Sequence, residues 1–181
     1  MADVSVRPAR PGDVAEIARI QIDTWRTAYT CVLPTPVLDG LSGQAAEQAW
    51  QAAVAAPPTA SHHVLVALEQ HCLVGFTALG PADDLEPAAP DRDRTVLIGS
   101  LLVEPRWGRR GHGSRLLAAA VDHALEDGMT RAITWVPSSD LALLSFYRGA
   151  GWDTDGYART LDTGAGELRE IRLHAALGAT G

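Results

Sequence analysis

Lysine is missing from this chain; all fifteen of its cationic side chains are arginine. With the abundant alanine, glycine and proline, that reads as genome composition bias rather than mechanism. It does remove one motif, because a Walker phosphate loop needs its lysine. Cysteine is nearly as scarce. Cys31 and Cys72 stand far apart in apolar settings, which makes no disulfide framework and points to a reducing, cytoplasmic compartment. No stretch approaches the roughly 18 uninterrupted apolar residues of a membrane helix. The opening "MADVSVRPARPGD" holds no signal-peptide core, so no membrane association is expected. An excess of positive charge is lacking too: the formal net charge is −7, which argues against general nucleic-acid binding. His62, His63, His71 and Cys72 come nearest to a metal cluster. Neighbours on a strand point to opposite faces, so His62 and His63 cannot share one ion, and no metal is expected.

What is present is ordinary globular composition, 46% hydrophobic and 20% charged over 181 residues. That length suits one domain spanning residues 1–181. "VSVRPA" (4–9) alternates as a short strand, and "RPGDV" leads into a helix near Asp13. Ile17, Ile20, Trp25 and Ala28 recur at helical spacing between Val14 and Tyr29. "VLPTPVLDGLS" is a proline-broken connection, and Ser42 to Ala56 reads as a second helix stopped by Pro57 and Pro58. "HHVLVALE" and "CLVGFTAL" form a hairpin, followed by an acidic, proline-rich loop over 80–94. "TVLIGSLLV" (95–103) is apolar throughout and therefore a central strand. A helix over Ser114 to Asp127, the buried strand "AITWVP" (132–137) and the short helix in "SSDLALLSFYRGAG" follow. Strands near 156–162 and 167–175 close the chain. The order β-α-α-β-β-β-α-β-α-β-β predicts a mixed α/β domain, largely antiparallel, with one parallel crossover in its middle.

The stretch "EPRWGRRGHGSRLL" (104–117) concentrates glycine and arginine directly before a helix. Gly108 and Gly113 have Walker spacing, but Ser114-Arg115 follows where Lys-Ser/Thr is needed. Gly111 and Gly113 begin a dinucleotide fingerprint, but its third glycine is Leu116. A cradle of backbone N–H groups at a helix start still fits, because glycines permit close approach and positive φ while the first helical N–H groups lack partners. A surface turn whose arginines only aid solubility is the bland alternative.

"LLVEPRWGRRGHGSRLLAAAVDHA" resembles the acyl-coenzyme-A motif of the GNAT N-acetyltransferase superfamily. Val103, Pro105, Arg109, Gly111 and Gly113 are in register, with Gly108 in place of the usual Gln or Arg. "SSDLALLSFYRGAGW" (138–152) resembles the second motif through Phe146, Tyr147, Gly151 and Trp152. Asp140 and Leu143 take the asparagine and alanine positions. The resemblance covers nearly the whole chain. It implies a central parallel pair splayed into an acyl-CoA cleft, with acetyl-CoA as co-substrate. Main-chain N–H groups of Arg109, Arg110, Gly111, His112, Gly113 and Ser114 would hold the pyrophosphate. The strand edge at Leu101, Leu102 and Val103 would pair with pantetheine, Gly99 supplying a bulge that opens the cleft. Asp140 and Phe146 join the cofactor site, Asp140 having helix capping as its alternative role.

The implied activity is direct acetyl transfer from acetyl-CoA to an amine, on a small molecule or a peptide. Tyr147 acts as general acid to the departing thiolate, since a phenol near pKa 10 can protonate a thiol near 8.5. Trp25, Tyr29 and Trp135 are expected to wall the acceptor pocket, core packing being the other reading of each. Many relatives are similar in carrying a glutamate base on the central strand, where this sequence has Leu97. Asp23, Asp83, Asp84, Glu86 and, through water, Glu104 are candidate replacements. The acidic loop favours a cationic acceptor. A longer acyl chain, a non-catalytic acyl-CoA sensor and a nucleotide-binding module are the competing readings. A homodimer is expected only at the level of the family.

Overall fold

The computed structural model describes residues 4–28, 35–40, 42–83, 85, 89, 91–164 and 166–178. Tyr29, Cys31, Asp84 and Glu86 lie outside them. The elements follow the predicted order: β1 (Val4–Pro8), α1 (Val14–Ala28), α2 (Thr35–Asp39), α3 (Gly43–Ala55), β2 (His63–Glu69), β3 (Cys72–Pro81) and β4 (Thr95–Val103). Then come α4 (His112–Glu126), β5 (Arg131–Pro137), α5 (Leu141–Gly149), β6 (Asp153–Asp162) and β7 (Glu167–Ala176). The short helix α2 is unpredicted. It sits inside the connection read as proline-broken, with Pro36 in its first turn, where a missing N–H costs nothing.

The strands make one sheet in the order β1-β2-β3-β4-β5-β7-β6, and only β4 and β5 run parallel. Alternation along each strand sends side chains to opposite faces. On one face Leu117, Ala120 and Ala124 of α4 and Leu144 of α5 pack over Leu65, Ile98, Ala132 and Val136. On the other, Ile17 and Ile20 of α1 and Trp50 of α3 cover Val66 and Phe76. The Trp50 ring meets Phe76 edge-on at 4.9 Å, and its Nε1 donates to Gln21 Oε1 at 2.8 Å, fixing α3 to both β3 and α1.

Two irregularities open the middle of the sheet. The β3–β4 register steps from Ala78↔Ser100 to Leu79↔Ile98, leaving Gly99 as the extra residue of a bulge, as its place in the strand predicts. The β4–β5 ladder runs only over Thr95↔Arg131, Val96↔Ala132 and Leu97↔Ile133. Beyond Leu97 the strands part. Thr134 Oγ1, donating to Ile98 O at 2.8 Å, ties them at the fork. From there to Val103, β4 pairs with β3 alone and turns its other edge to the gap.

Candidate active site

The gap holds two adjoining cavities that share Leu101, Leu102 and Leu143. One, of about 470 Å³, opens at the glycine-arginine turn; the other, of about 370 Å³, lies deeper between β4, β5 and the β6–β7 hairpin.

The turn is built from the end of β4. Glu104 N donates to Val74 O at 2.9 Å, and a 3₁₀ turn over Pro105–Trp107 redirects the chain. Arg109 (φ 60°) and Gly111 (φ 82°) are then left-handed, so the backbone doubles back before α4 starts. The first bond into that helix runs from Arg115 N to Gly111 O at 3.1 Å. Among the described residues, the main-chain N–H groups from Arg109 to Ser114 therefore have no main-chain acceptor. Such a row at a helix start binds anions, because the orphan donors and the helix dipole favour negative charge together. Gly113 holds the cradle open against its far wall: a Cβ there would lie 3.4 Å from the Phe146 ring and 3.8 Å from Leu101. This fits an acyl-CoA pyrophosphate held by main-chain N–H groups, while the Arg115 guanidinium braces the turn by donating to Arg110 O at 3.1 Å.

One reason the turn keeps its shape was not legible in the sequence. Glu69, at the end of β2, receives Arg110 NH1 on Oε1 at 3.2 Å and meets His112 Nε2 with Oε2 at 2.8 Å. His112 is 1% exposed and edge-on to Trp107, over which the Arg110 and Arg106 guanidiniums lie 4.9 Å and 5.9 Å from the ring centroid. The carboxylate thus clamps the turn from both ends. Glu69→Ala leaves a buried imidazole without its acceptor, a loss of about 1–3 kcal/mol. The expected result is a lowered melting temperature together with weaker coenzyme A binding, read by thermal melts with and without coenzyme A.

The predicted cofactor residues divide accordingly. Leu101, Leu102, Val103, Arg109, Gly111, His112, Gly113, Ser114, Asp140 and Phe146 all line the outer cavity, with Trp107 and Thr24 as unpredicted neighbours. Arg110 does not line it; its side chain is turned to Glu69. Asp140 takes its alternative role at the same time, Oδ1 capping α5 by accepting from Leu143 N at 2.9 Å.

The inner cavity contains Tyr147, Trp25 and Trp135. Tyr147 is 2% exposed on α5, its ring held between Phe146 at 5.3 Å and Trp152 at 5.0 Å. The Trp135 ring lies under the Arg159 guanidinium, 4.3 Å from its centroid. Trp25 brings α1 to the cavity rim.

The candidate bases fare differently. Arg19 of α1 binds Glu16, Asp23 (2.9 Å) and Glu104 (3.1 Å), so Asp23 and Glu104 serve an ion-pair network that joins α1 to the end of β4. The Arg19 guanidinium is held above its ordinary pKa, first by Glu16 and then by Glu104, and Arg19 in turn holds Glu16 below the usual carboxylate range. Neither Asp23 nor Glu104 lines either cavity. Asp83 lines neither as well. Leu97 packs with Ala82, Leu85 and Ile133. The carboxylates that do line the inner cavity are Asp162 and Glu170, from the β6–β7 hairpin. In sequence, "ELREIRLHAA" signals only a strand with a polar face, and nothing local says that this face closes on Tyr147.

Residues 17–152 match the model of the acetyltransferase (GNAT) family. The chain is 30% identical over 146 residues to an uncharacterized N-acetyltransferase of Bacillus subtilis (strain 168), YuaI, covering 80% of this chain and 78% of that one. Its fold is similar to the PaiA N-acetyltransferase of Thermoplasma acidophilum, solved in complex with coenzyme A, at TM-score 0.74 and 14% identity over 96% of this chain and 99% of that one. It is also similar to yncA of Salmonella typhimurium, solved with its cofactor acetyl-CoA, at TM-score 0.71 and 18% identity over 97% and 94% of the two chains.

Proposed function

As this chain belongs to the acetyltransferase (GNAT) family, we propose that it is a single-domain enzyme moving the acetyl group of acetyl-CoA directly to an amine, with Tyr147 as general acid. One observation carries the reading. A row of main-chain N–H groups that, among the described residues, has no main-chain acceptor opens into the same cleft that ends, past Leu101 and Leu102, at a buried tyrosine.

The N–H groups of Arg109 to Ser114 bind the pyrophosphate. The free edge of β4 from Ile98 to Val103 takes the pantetheine amides as an added strand would. That register brings the thioester to the fork, where Thr134 bridges β4 and β5. Nitrogen attack on the thioester carbon expels a thiolate, and the Tyr147 phenol supplies its proton. The amine is the harder partner. With a pKa near 10.4, its neutral form at pH 7 costs about 4.6 kcal/mol, at about 1.36 per pKa unit. Trp25 and Trp135 wall the acceptor side. Among the described residues no helix is long and apolar enough to cross a membrane.

A non-catalytic acyl-CoA sensor is the second reading, favoured by one observation: the strand position that carries the base in many relatives is the packed Leu97. Thermal melts and thiol release separate the two. Acetyl-CoA at a hundredfold excess over its Kd is expected to stabilise the protein by about 2.7 kcal/mol, and ATP not at all. Stabilisation by ATP alone would overturn the acyl-CoA reading. Free thiol released on adding a primary amine identifies the enzyme; acetyl-CoA binding with no thiol release from any amine identifies the sensor.

A further inference from the structure

We propose that Glu170 is the catalytic base of this enzyme, taking over from β7 the task that a β4 carboxylate performs in relatives and receiving the acceptor as a cationic amine. The assignment rests on the acetyl-transfer reading above. Glu170 is 9% exposed and lines the same cavity as Tyr147. Arg159, directly across from it on β6, donates from Nε to Oε2 at 2.7 Å. That ion pair orients the carboxylate through Oε2, and a carboxylate has a second acceptor oxygen in Oε1. On its other side Glu170 is opposite Pro137, the last residue of β5, four residues past Ile133 where the β4–β5 ladder ends.

The surroundings select Glu170 over its neighbours. Asp162, the other carboxylate of the cavity, is exposed and accepts from Gly164 N at 2.8 Å in the hairpin turn, which places it at the rim. Arg172, two residues along β7 on the same face, is engaged by Asp155 at 2.8 Å, and Asp155 is shared with Arg131 at 2.7 Å. Both guanidiniums lie over Trp135, Arg159 4.3 Å and Arg172 5.6 Å from its ring centroid. From the helices, α1 contributes Trp25 and α5 contributes Tyr147 and Leu143. Among the described residues, the charged ones lining the cavity are thus Asp162 and Glu170, both acidic, set among Trp25, Trp135, Leu161 and Leu168. A primary ammonium on an apolar body matches that lining, and an acceptor with its own carboxylate does not.

The step balances as follows. The first ammonium proton passes to Glu170, directly or through one water, and the freed nitrogen lone pair forms the C–N bond. The C–S bond breaks with its electron pair on sulfur, which takes the Tyr147 proton. The second nitrogen proton restores the phenol, and Glu170 releases its proton to solvent. Ammonium and acetyl-CoA become amide, free thiol and one proton.

The test measures thiol release by wild type, Glu170→Gln and Asp162→Asn with acetyl-CoA and hexylamine, phenethylamine or a peptide with a free amino terminus. Rates are followed from about pH 6 to about pH 10, spanning the amine's own ionisation. Glu170→Gln is expected to lower kcat/KM for the amine by about 10²-fold or more at neutral pH. The gap closes toward pH 10, where the amine is neutral without help, and KM for acetyl-CoA is unchanged. Asp162→Asn, which removes one carboxylate of the acceptor lining, raises KM for the amine but leaves the pH limb at its wild-type position. If Glu170→Gln does not fold, Glu170→Asp carries the test, since it keeps a carboxylate and must keep the wild-type acid limb at a reduced rate. A wild-type pH profile in Glu170→Gln, a displaced limb in Asp162→Asn, or loss of the limb in Glu170→Asp overturns the assignment alone. Wild-type protein that binds acetyl-CoA but releases no thiol with any of these amines overturns the transfer reading and the base with it.

Discussion

Tyr147→Phe is expected to lower kcat by about 10²–10³-fold while KM for acetyl-CoA and the melting temperature barely move. A hundredfold loss corresponds to about 2.7 kcal/mol of transition-state stabilisation. The substitution isolates the hydroxyl, because a phenylalanine ring keeps the contacts with Phe146 and Trp152 that hold Tyr147 between them. Removing one buried hydroxyl alters stability by about 1 kcal/mol, well below the catalytic effect. The proton matters because the leaving group is a thiolate in a cavity lined by Leu101, Leu102 and Leu143, where unneutralised charge is poorly solvated. Steady-state kinetics at saturating acetyl-CoA read the change. An unchanged kcat would assign Tyr147 to the core only, and an equal fall in acetyl-CoA affinity would make it a binding residue.

Gly113→Val is expected to weaken acetyl-CoA binding by about 100-fold or more, equivalent to about 2.7 kcal/mol. A Cβ at this position would stand in ordinary van der Waals contact with the Phe146 ring at 3.4 Å and Leu101 at 3.8 Å, so the further methyl groups of valine, not the first carbon, take up space. Gly113 lines the outer cavity, so branched methyl groups there take volume from it. They fill the concavity into which the N–H groups of Arg109 to Ser114 point. The helix itself tolerates the change, because valine in a first turn costs only a few tenths of a kcal/mol. Calorimetric titration with acetyl-CoA reads the affinity and a thermal melt without ligand reads the fold. Wild-type affinity in a folded Gly113→Val protein would place the pyrophosphate somewhere else.

How far the sequence reaches can be followed element by element. Alternation and apolar runs put β4 at Thr95–Val103 with no error at either end. Ser42 before "GQAAEQAW" marked the start of α3, and Ser42 Oγ indeed caps it. The start of α4 was read two residues late, at Ser114 rather than His112. Glycine and arginine look like a loop, whereas a left-handed Gly111 lets the helix begin at the next residue. The candidate bases depend on more than local sequence. Asp23 and Glu104 were reasonable by charge and position, but they pair with Arg19 and line neither cavity.

The sequence by itself determined the order of strands and helices, the glycine turn that frees a row of N–H groups, the Gly99 bulge, and the tyrosine that follows one strand and one helix later. Each of these is written in local periodicity or in the φ that a single residue can adopt, so neighbours in the chain suffice to read it. Only the tertiary structure decided that the β4–β5 ladder stops at Leu97 and that Thr134 bridges the fork. It alone showed that Glu69 clamps the turn from β2 and that Glu170 reaches the cavity from β7. Those features arise where strands distant in sequence converge, and their register is set by core packing across the whole sheet, which no local pattern of residues encodes.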